Sequence, residues 1–138
     1  MTLLAKDVMH RDLITAVPET RLYQALQMMV EKSIRHLPIV SNGALVGLIS
    51  DRDLKRHMSV RFGSEQEKQE DRMLMLQTAA DLMTTDVATV GPNVTLKDVV
   101  AQMIEKKFGA MPVVDDRGRP VGIITSIDLL KLLHERLE

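Results

Sequence analysis

Two hydroxyl–carboxylate pairs at identical spacing are the residues of this chain most suited to chemistry. Ser50 and Asp53 close the run Gly47-Leu48-Ile49-Ser50-Asp51-Arg52-Asp53, and Thr125 and Asp128 close Gly122-Ile123-Ile124-Thr125-Ser126-Ile127-Asp128. In each run a short apolar stretch gives way to polar residues, the pattern of a strand ending where a helix begins. The glycine lets the backbone approach a ligand or a neighbouring strand closely. The hydroxyl then stands at a helix entrance, where free N–H groups favour an anion. The carboxylate three residues on lies on the same side of that helix. A carboxylate so placed can accept two hydrogen bonds from a vicinal diol such as a ribose. The same spacing also describes a capping box, worth about 1 kcal/mol of local stability. Spacing alone leaves both readings open.

The surroundings of the two pairs differ in charge. Arg35, His36, Arg52, Lys55, Arg56 and His57 accompany the first pair and can supply cations for phosphate, or form a solvated basic face. Gly109, Ala110, Ile127, Leu130, Lys131 and Leu132 hold the matching positions of the second, where only Lys131 is basic. The first site is therefore expected to prefer a phosphorylated ligand. The second is expected to take a nucleoside, a weaker nucleotide or nothing.

Other chemistries find little support. His10, His36, His57 and His134 fall in different elements and match no metal-ligand spacing. Without cysteine there is no disulfide, thiolate nucleophile or sulfur-ligated metal. No nucleophile elbow or phosphate-cradling glycine loop occurs, so neither catalysis nor a catalytic cofactor is expected. Nucleic-acid binding is not expected either: Tyr23, Phe62 and Phe108 are the only aromatics, and the net charge is -1. No apolar run is long enough to span a bilayer, and the N-terminus has no signal-peptide core; cytoplasmic residence is the expectation.

The elements that must position these pairs come from an internal duplication. Residues 7–40 align with 81–114 at an offset of 74, and one extra residue in the second hairpin moves the offset to 75. Asp7, Met9, Pro18, Leu22, Met29, Pro38 and Val40 thus fall on Asp81, Met83, Pro92, Leu96, Met103, Pro112 and Val114, and Gly47 and Asp53 on Gly122 and Asp128. Ile14–Val17 and Val87–Val90 read as short strands ended by turns at Pro18 and Pro92. Thr20 and either Asn93 or Thr95 are candidate caps for helices over 21–33 and 96–107, whose apolar residues recur at spacings of three and four. Leu37–Val40 and Met111–Val114 read as strands opening near a proline. The returns Leu45–Ile49 and Val121–Ile124 follow an Asn42-Gly43 type I′ turn and a longer Asp115–Arg119 turn. A second helix then starts near Ser50-Asp51 or Thr125-Ser126.

The fold class expected is α/β (α+β): two βαββα repeats, each a three-stranded sheet with helices on one face, packed face to face with pseudo-twofold symmetry. The domains are residues 1–58, a linker over 59–78 and residues 79–138. Glu65 to Ala80 of the linker reads as helix.

The ordered set of short motifs, present twice, resembles the cystathionine β-synthase (CBS) domain family, as a stand-alone tandem pair or Bateman module. The residues carrying the resemblance are Asp7-Val8-Met9 through Pro18, Ile34-Arg35-His36-Leu37-Pro38-Ile39-Val40 and Gly47 to Asp53, with their counterparts Asp81-Leu82-Met83 through Pro92, Phe108 to Val114 and Gly122 to Asp128. It implies up to two clefts for adenine nucleotides of the AMP/ADP/ATP class, acting as regulatory ligands. Asp53 with Ser50, and Asp128 with Thr125, would hold the ribose. Ile14, Thr15, Val17, His36, Leu37 and Pro38 would enclose one base; Val87, Thr89, Ala110, Met111 and Pro112 would enclose the other. Arg35, Arg52, Lys55 and Arg56 would meet phosphate at the first site, and Lys131 at the second. A homodimer and an unidentified regulated protein are the implied partners. A ligand-free interaction or dimerisation module is the alternative.

Overall fold

The computed structural model describes residues 2–57 and 76–138. Its elements are α1 (Ala5–Val8), α2 (Leu22–Lys32), β1 (His36–Ser41), β2 (Ala44–Ser50), α3 (Asp51–His57), α4 (Ala79–Leu82), α5 (Leu96–Lys106), β3 (Ala110–Val114), β4 (Pro120–Thr125) and α6 (Ser126–Arg136). They group into two compact units, one of Ile14–Val87 and one of Met1–Leu13 with Ala88–Glu138. The repeat along the chain and the unit in space therefore differ: the arm before each repeat belongs to the unit built on the other repeat.

Backbone hydrogen bonds tie each arm down. In the Ile14–Val87 unit, Ala79 N donates to Thr20 O at 2.7 Å, Ala80 N to Pro18 O at 3.0 Å and Leu22 N to Gln77 O at 3.0 Å. In the other unit the counterparts 74 residues away repeat the pattern. Ala5 N donates to Val94 O at 2.8 Å, Lys6 N to Pro92 O at 2.9 Å and Leu96 N to Leu3 O at 2.8 Å. These bonds occupy N–H groups at the starts of α1, α2, α4 and α5 that the helices cannot satisfy themselves.

Each unit holds one antiparallel hairpin, β1–β2 or β3–β4. Asn42 and Gly43 adopt φ 52° and 81°, the left-handed pair that a type I′ turn requires. Ile39 pairs with Gly47 but Val40 with Leu45, leaving Val46 as a bulge; Val113, Val114 and the flanking Pro120 and Gly122 isolate Val121 in the same way. The expected third strand is reduced to one residue in each unit. Ala16 bridges Ile39 and Val90 bridges Val113, both in parallel. Pairing goes no further because the chain turns at once: Thr20 Oγ1 takes the N–H of Val17 at 3.1 Å, and proline follows. The other edge of each hairpin is also bridged by one residue, Leu48 with Thr84 and Ile123 with His10.

Of the two caps left open for the second repeat Thr95 is the one used, and two other boundaries depart from the sequence expectation. Thr95 caps α5, its hydroxyl accepting from Asp98 N at 3.3 Å. Arg21, not Thr20, occupies the corresponding position of α2, because the Thr20 hydroxyl is already used by Val17. The helix expected over 65–80 lies largely outside the described residues. Where it is described it does not run through: Thr78 is extended (φ -114°, ψ 170°), and its N–H meets Asp81 Oδ2 at 2.8 Å to start α4 afresh.

Each unit has its own apolar core. Ala16, Leu22, Ala25, Met29, Leu37, Ile39, Ile49, Leu54 and Ala79 form one; Ala5, Val90, Leu96, Val99, Met103, Met111, Val113 and Ile124 form the other, with Leu129 and Leu132 against it. The helical spacing of three and four in α2 and α5 and the period of two in β1 and β3 bring these residues to one side. Burial of this area is the main favourable term in each unit.

Candidate functional site

The strand-to-helix junction is built alike in both units. Ser50 ends β2 opposite His36, and Thr125 ends β4 opposite Ala110. The first N–H of the following helix donates across the junction: Asp51 N to Arg35 O at 2.9 Å, and Ser126 N to Gly109 O at 2.9 Å. The next donors go to the capping box. Asp53 N donates to Ser50 Oγ at 3.0 Å, and Ser50 N to Asp53 Oδ2 at 3.2 Å. Asp128 N donates to Thr125 Oγ1 at 3.2 Å, and Thr125 N to Asp128 Oδ2 at 2.9 Å. Both capping boxes are therefore real.

The boxes leave capacity over. Only Oδ2 of each aspartate is used; among the described residues no donor meets Oδ1 of Asp53 or of Asp128. Both carboxylates are half-buried. A carboxylate offers about four lone-pair sites, so capping and holding a diol are compatible roles for one side chain.

An open cleft of about 480 Å³ is lined by Arg35, Asp51, Arg52, Lys55 and Arg56; Ser50 and Asp53 neighbour these residues along the chain but are not among its lining. Arg35 precedes β1, and the others stand on the first turns of α3, so the junction itself gathers them. Lys55 Nζ is 3.6 Å from Asp51 Oδ2, an exposed pair of little energetic weight. Four cations against one carboxylate make the cleft attractive to a multiply charged anion. His36 is half-buried at the same junction. Burial holds its imidazole below the ordinary range; Asp51 and Asp53 oppose that shift and Arg35 adds to it.

The remaining sequence candidates are placed unevenly. Ile14, Thr15 and Val17 flank Ala16, which is bonded to β1 through Pro38 O at 3.0 Å and Val40 N at 2.8 Å. Thr89 flanks Val90, bonded to β3 through Pro112 O at 3.1 Å and Val114 N at 2.9 Å. Val87 is the last residue of the Ile14–Val87 unit, whereas Thr89, Ala110, Met111 and Pro112 belong to the other. The Leu37 and Met111 side chains are fully buried in the two cores, and Pro38 and Pro112 are buried as well. These four residues can offer a ligand little beyond backbone atoms. Lys131 is exposed on α6. His57 does not line the basic cleft, and its Nε2 is hydrogen-bonded to Gln77 Oε1.

Sequence reasoning does not single out two features. Among the described residues Asp51 is the one acid that lines the cleft. Met83 and Met9 fill the space above Gly47 and Gly122, so the close approach anticipated at these glycines is made by a side chain of the arm. The repeated Asp-x-Met motif is the signal that could have found the two methionines. Among the described residues no cluster of His, Asp and Glu is arranged to hold a metal, and no helix is long and apolar enough to cross a membrane.

A protein-family model described as the CBS domain matches residues 5–60 and again residues 79–135. The chain belongs to the CBS domain family. A CBS domain-containing protein of Dictyostelium discoideum is 33% identical over 139 residues, an alignment covering 100% of this chain and 96% of that protein. Among solved structures, the CBS domain pair of protein MJ0100, in complex with 5′-methylthioadenosine and S-adenosyl-L-methionine, is similar with a TM-score of 0.84 and 28% identity. That match covers 99% of this chain and 100% of the other. CBSX2 of Arabidopsis thaliana, in complex with AMP, gives a TM-score of 0.81 and 27% identity over 99% of each chain. Other curated relatives are much longer: the chain spans only 21% to 23% of three inosine-5′-monophosphate dehydrogenases. In such enzymes the CBS pair is an accessory part of a larger chain.

Proposed function

We propose that this CBS pair is a non-catalytic regulatory module that binds adenine nucleotides and alters a partner contact when they bind. The observation carrying this reading is the doubled junction: a hydroxyl and a carboxylate with one uncommitted oxygen, set beside four cations in the Ile14–Val87 unit. Asp53 and Asp128 hold the ribose hydroxyls with Oδ1, Ser50 and Thr125 reach the ribose or phosphate, and Arg35, Arg52, Lys55 and Arg56 meet phosphate oxygens. Charge-assisted bonds of this kind contribute about 1.5 to 3 kcal/mol when shielded from water. AMP on one relative of similar length, and 5′-methylthioadenosine with S-adenosyl-L-methionine on another, support an adenosine-type ligand here. In the same reading the module is a cytoplasmic homodimer, and sedimentation tests the assembly.

The test separates binding from capping. Asp→Asn keeps an oxygen for the Ser50 or Thr125 N–H but removes the charge. Millimolar AMP, ADP, ATP or S-adenosylmethionine should raise the melting temperature of the native protein. Asp53→Asn with Asp128→Asn should abolish that shift while leaving the ligand-free melting temperature nearly unchanged. No shift with any of the four, or an equal shift in the double variant, overturns the reading.

The ligand-free interaction module is the second reading, favoured by capping boxes that are complete without a ligand. It gains if no adenosine compound shifts the melt.

A further inference from the structure

We infer that the two junctions take different classes of adenosine ligand, a phosphorylated nucleotide at Asp53 and a nucleoside with an uncharged 5′ substituent at Asp128, with Ile127 and Leu130 setting the difference. The inference rests on the proposed adenosine binding and sharpens it.

The backbone frames of the two junctions are the same. The capping boxes match atom for atom, and the bonds Asp51 N–Arg35 O and Ser126 N–Gly109 O are both 2.9 Å. Position for position, a side chain on α3 and its counterpart on α6 therefore leave the helix toward the same part of their junction. What they present is opposite. Arg52 and Lys55, which line the basic cleft, are replaced by Ile127 and Leu130; Arg35 is replaced by Gly109, and Asp51 by Ser126.

The core does not explain these apolar residues. Leu54 on α3 is fully buried, and its counterpart Leu129, with Leu132, packs α6 against the core. Ile127 and Leu130 stand outside that contact, 44% and 58% exposed. A phosphate group placed against them would lose hydration with only Lys131 to compensate. An uncharged substituent placed there would lose little and would cover apolar surface. At the Asp53 junction the balance reverses, because Arg35, Arg52 and Arg56 have no carboxylate partner among the described residues.

Calorimetric titration of the full chain with ATP and with 5′-deoxy-5′-methylthioadenosine provides the test. Asp53→Asn should weaken ATP at least tenfold and leave the thioether nucleoside unchanged; Asp128→Asn should do the reverse. In an Asp53→Asn background, Ile127→Arg with Leu130→Lys should restore ATP binding at least tenfold. Melting curves of each variant establish that it is folded. Two outcomes overturn the inference alone: equal loss of both compounds in the two Asn variants, or no gain of ATP affinity in the folded swap variant. If the swap changes only the sedimentation coefficient, Ile127 and Leu130 belong to a protein contact and the inference also falls. If neither compound binds the native chain, the adenosine reading itself has failed.

Discussion

The side chain of Met83 occupies the space that a Cβ would need at residue 47. A Cβ built on Gly47 would lie 2.8 Å from Met83 Cγ, closer than non-bonded carbons come. Met9 stands over Gly122 in the same relation, with Cγ at 2.6 Å. The glycine thus creates a seat for the thioether of the arm, three residues before the hydroxyl that ends the strand at the strand-to-helix junction.

Gly47→Ala should therefore destabilise the protein by about 1 to 3 kcal/mol, the usual cost of overpacking. Gly122→Ala should behave alike. Urea denaturation reads the loss. Combining Gly47→Ala with Met83→Ala should recover part of it, since the two side chains compete for one space. Additive losses in the double variant would mean that the contact is not the cause.

The capping boxes can be tested without any ligand. Thr125→Ala removes the acceptor of the Asp128 N–H and should cost about 1 kcal/mol. Ser50→Ala should cost a similar amount through the Asp53 N–H. Thermal unfolding in ligand-free buffer measures both. A cost near zero would show that water caps these helices equally well.

His36 makes stability depend on pH in a defined direction. Burial lowers its folded pKa below the ordinary 6.5, so the unfolded chain takes up the proton first. Its contribution is fully present above pH 6.5 and is lost as pH falls through 6.5 toward the folded pKa. His36→Gln should flatten the stability profile in that window, as followed by urea midpoints at successive pH values. An unchanged slope would assign the effect to other groups.

Much of this was legible in the sequence because duplication makes weak signals countable. The hairpin over β1 and β2 followed from Asn42-Gly43, and α2 and α5 from spacings of three and four; those patterns report local geometry directly. The third strand was overread, since Ile14–Val17 has β-forming residues but too little length before Pro18 to pair at more than Ala16. The placing of the arms was not legible. No local pattern tells whether Met83 packs on the repeat it introduces or on the preceding one, because that depends on hydrogen bonds such as Ala79 N–Thr20 O between distant residues. At the junction, the residue types gave hydroxyl, carboxylate and cations. Which carboxylate oxygen remained uncommitted required geometry.

The ends of α2 and α5 carry avoidable strain. Ser33 and Lys107 close these helices in the left-handed region, at φ 53° and φ 58°. Non-glycine residues lose roughly 1 to 2 kcal/mol in that conformation through crowding at Cβ. Glycine removes the crowding but makes the unfolded chain more flexible, which returns about 0.4 to 1 kcal/mol. The strain term is the larger, so Lys107→Gly should stabilise the protein by roughly 0.5 to 1 kcal/mol. Ser33→Gly should gain a similar amount, because the crowding is at Cβ in both residues and both backbone N–H groups are anchored alike, Ser33 N to Met29 O and Val30 O and Lys107 N to Met103 O. A rise in melting temperature of roughly 2 to 5 °C for the pair of substitutions is the expected result. A fall would mean that these residues are held in place by contacts worth more than the strain.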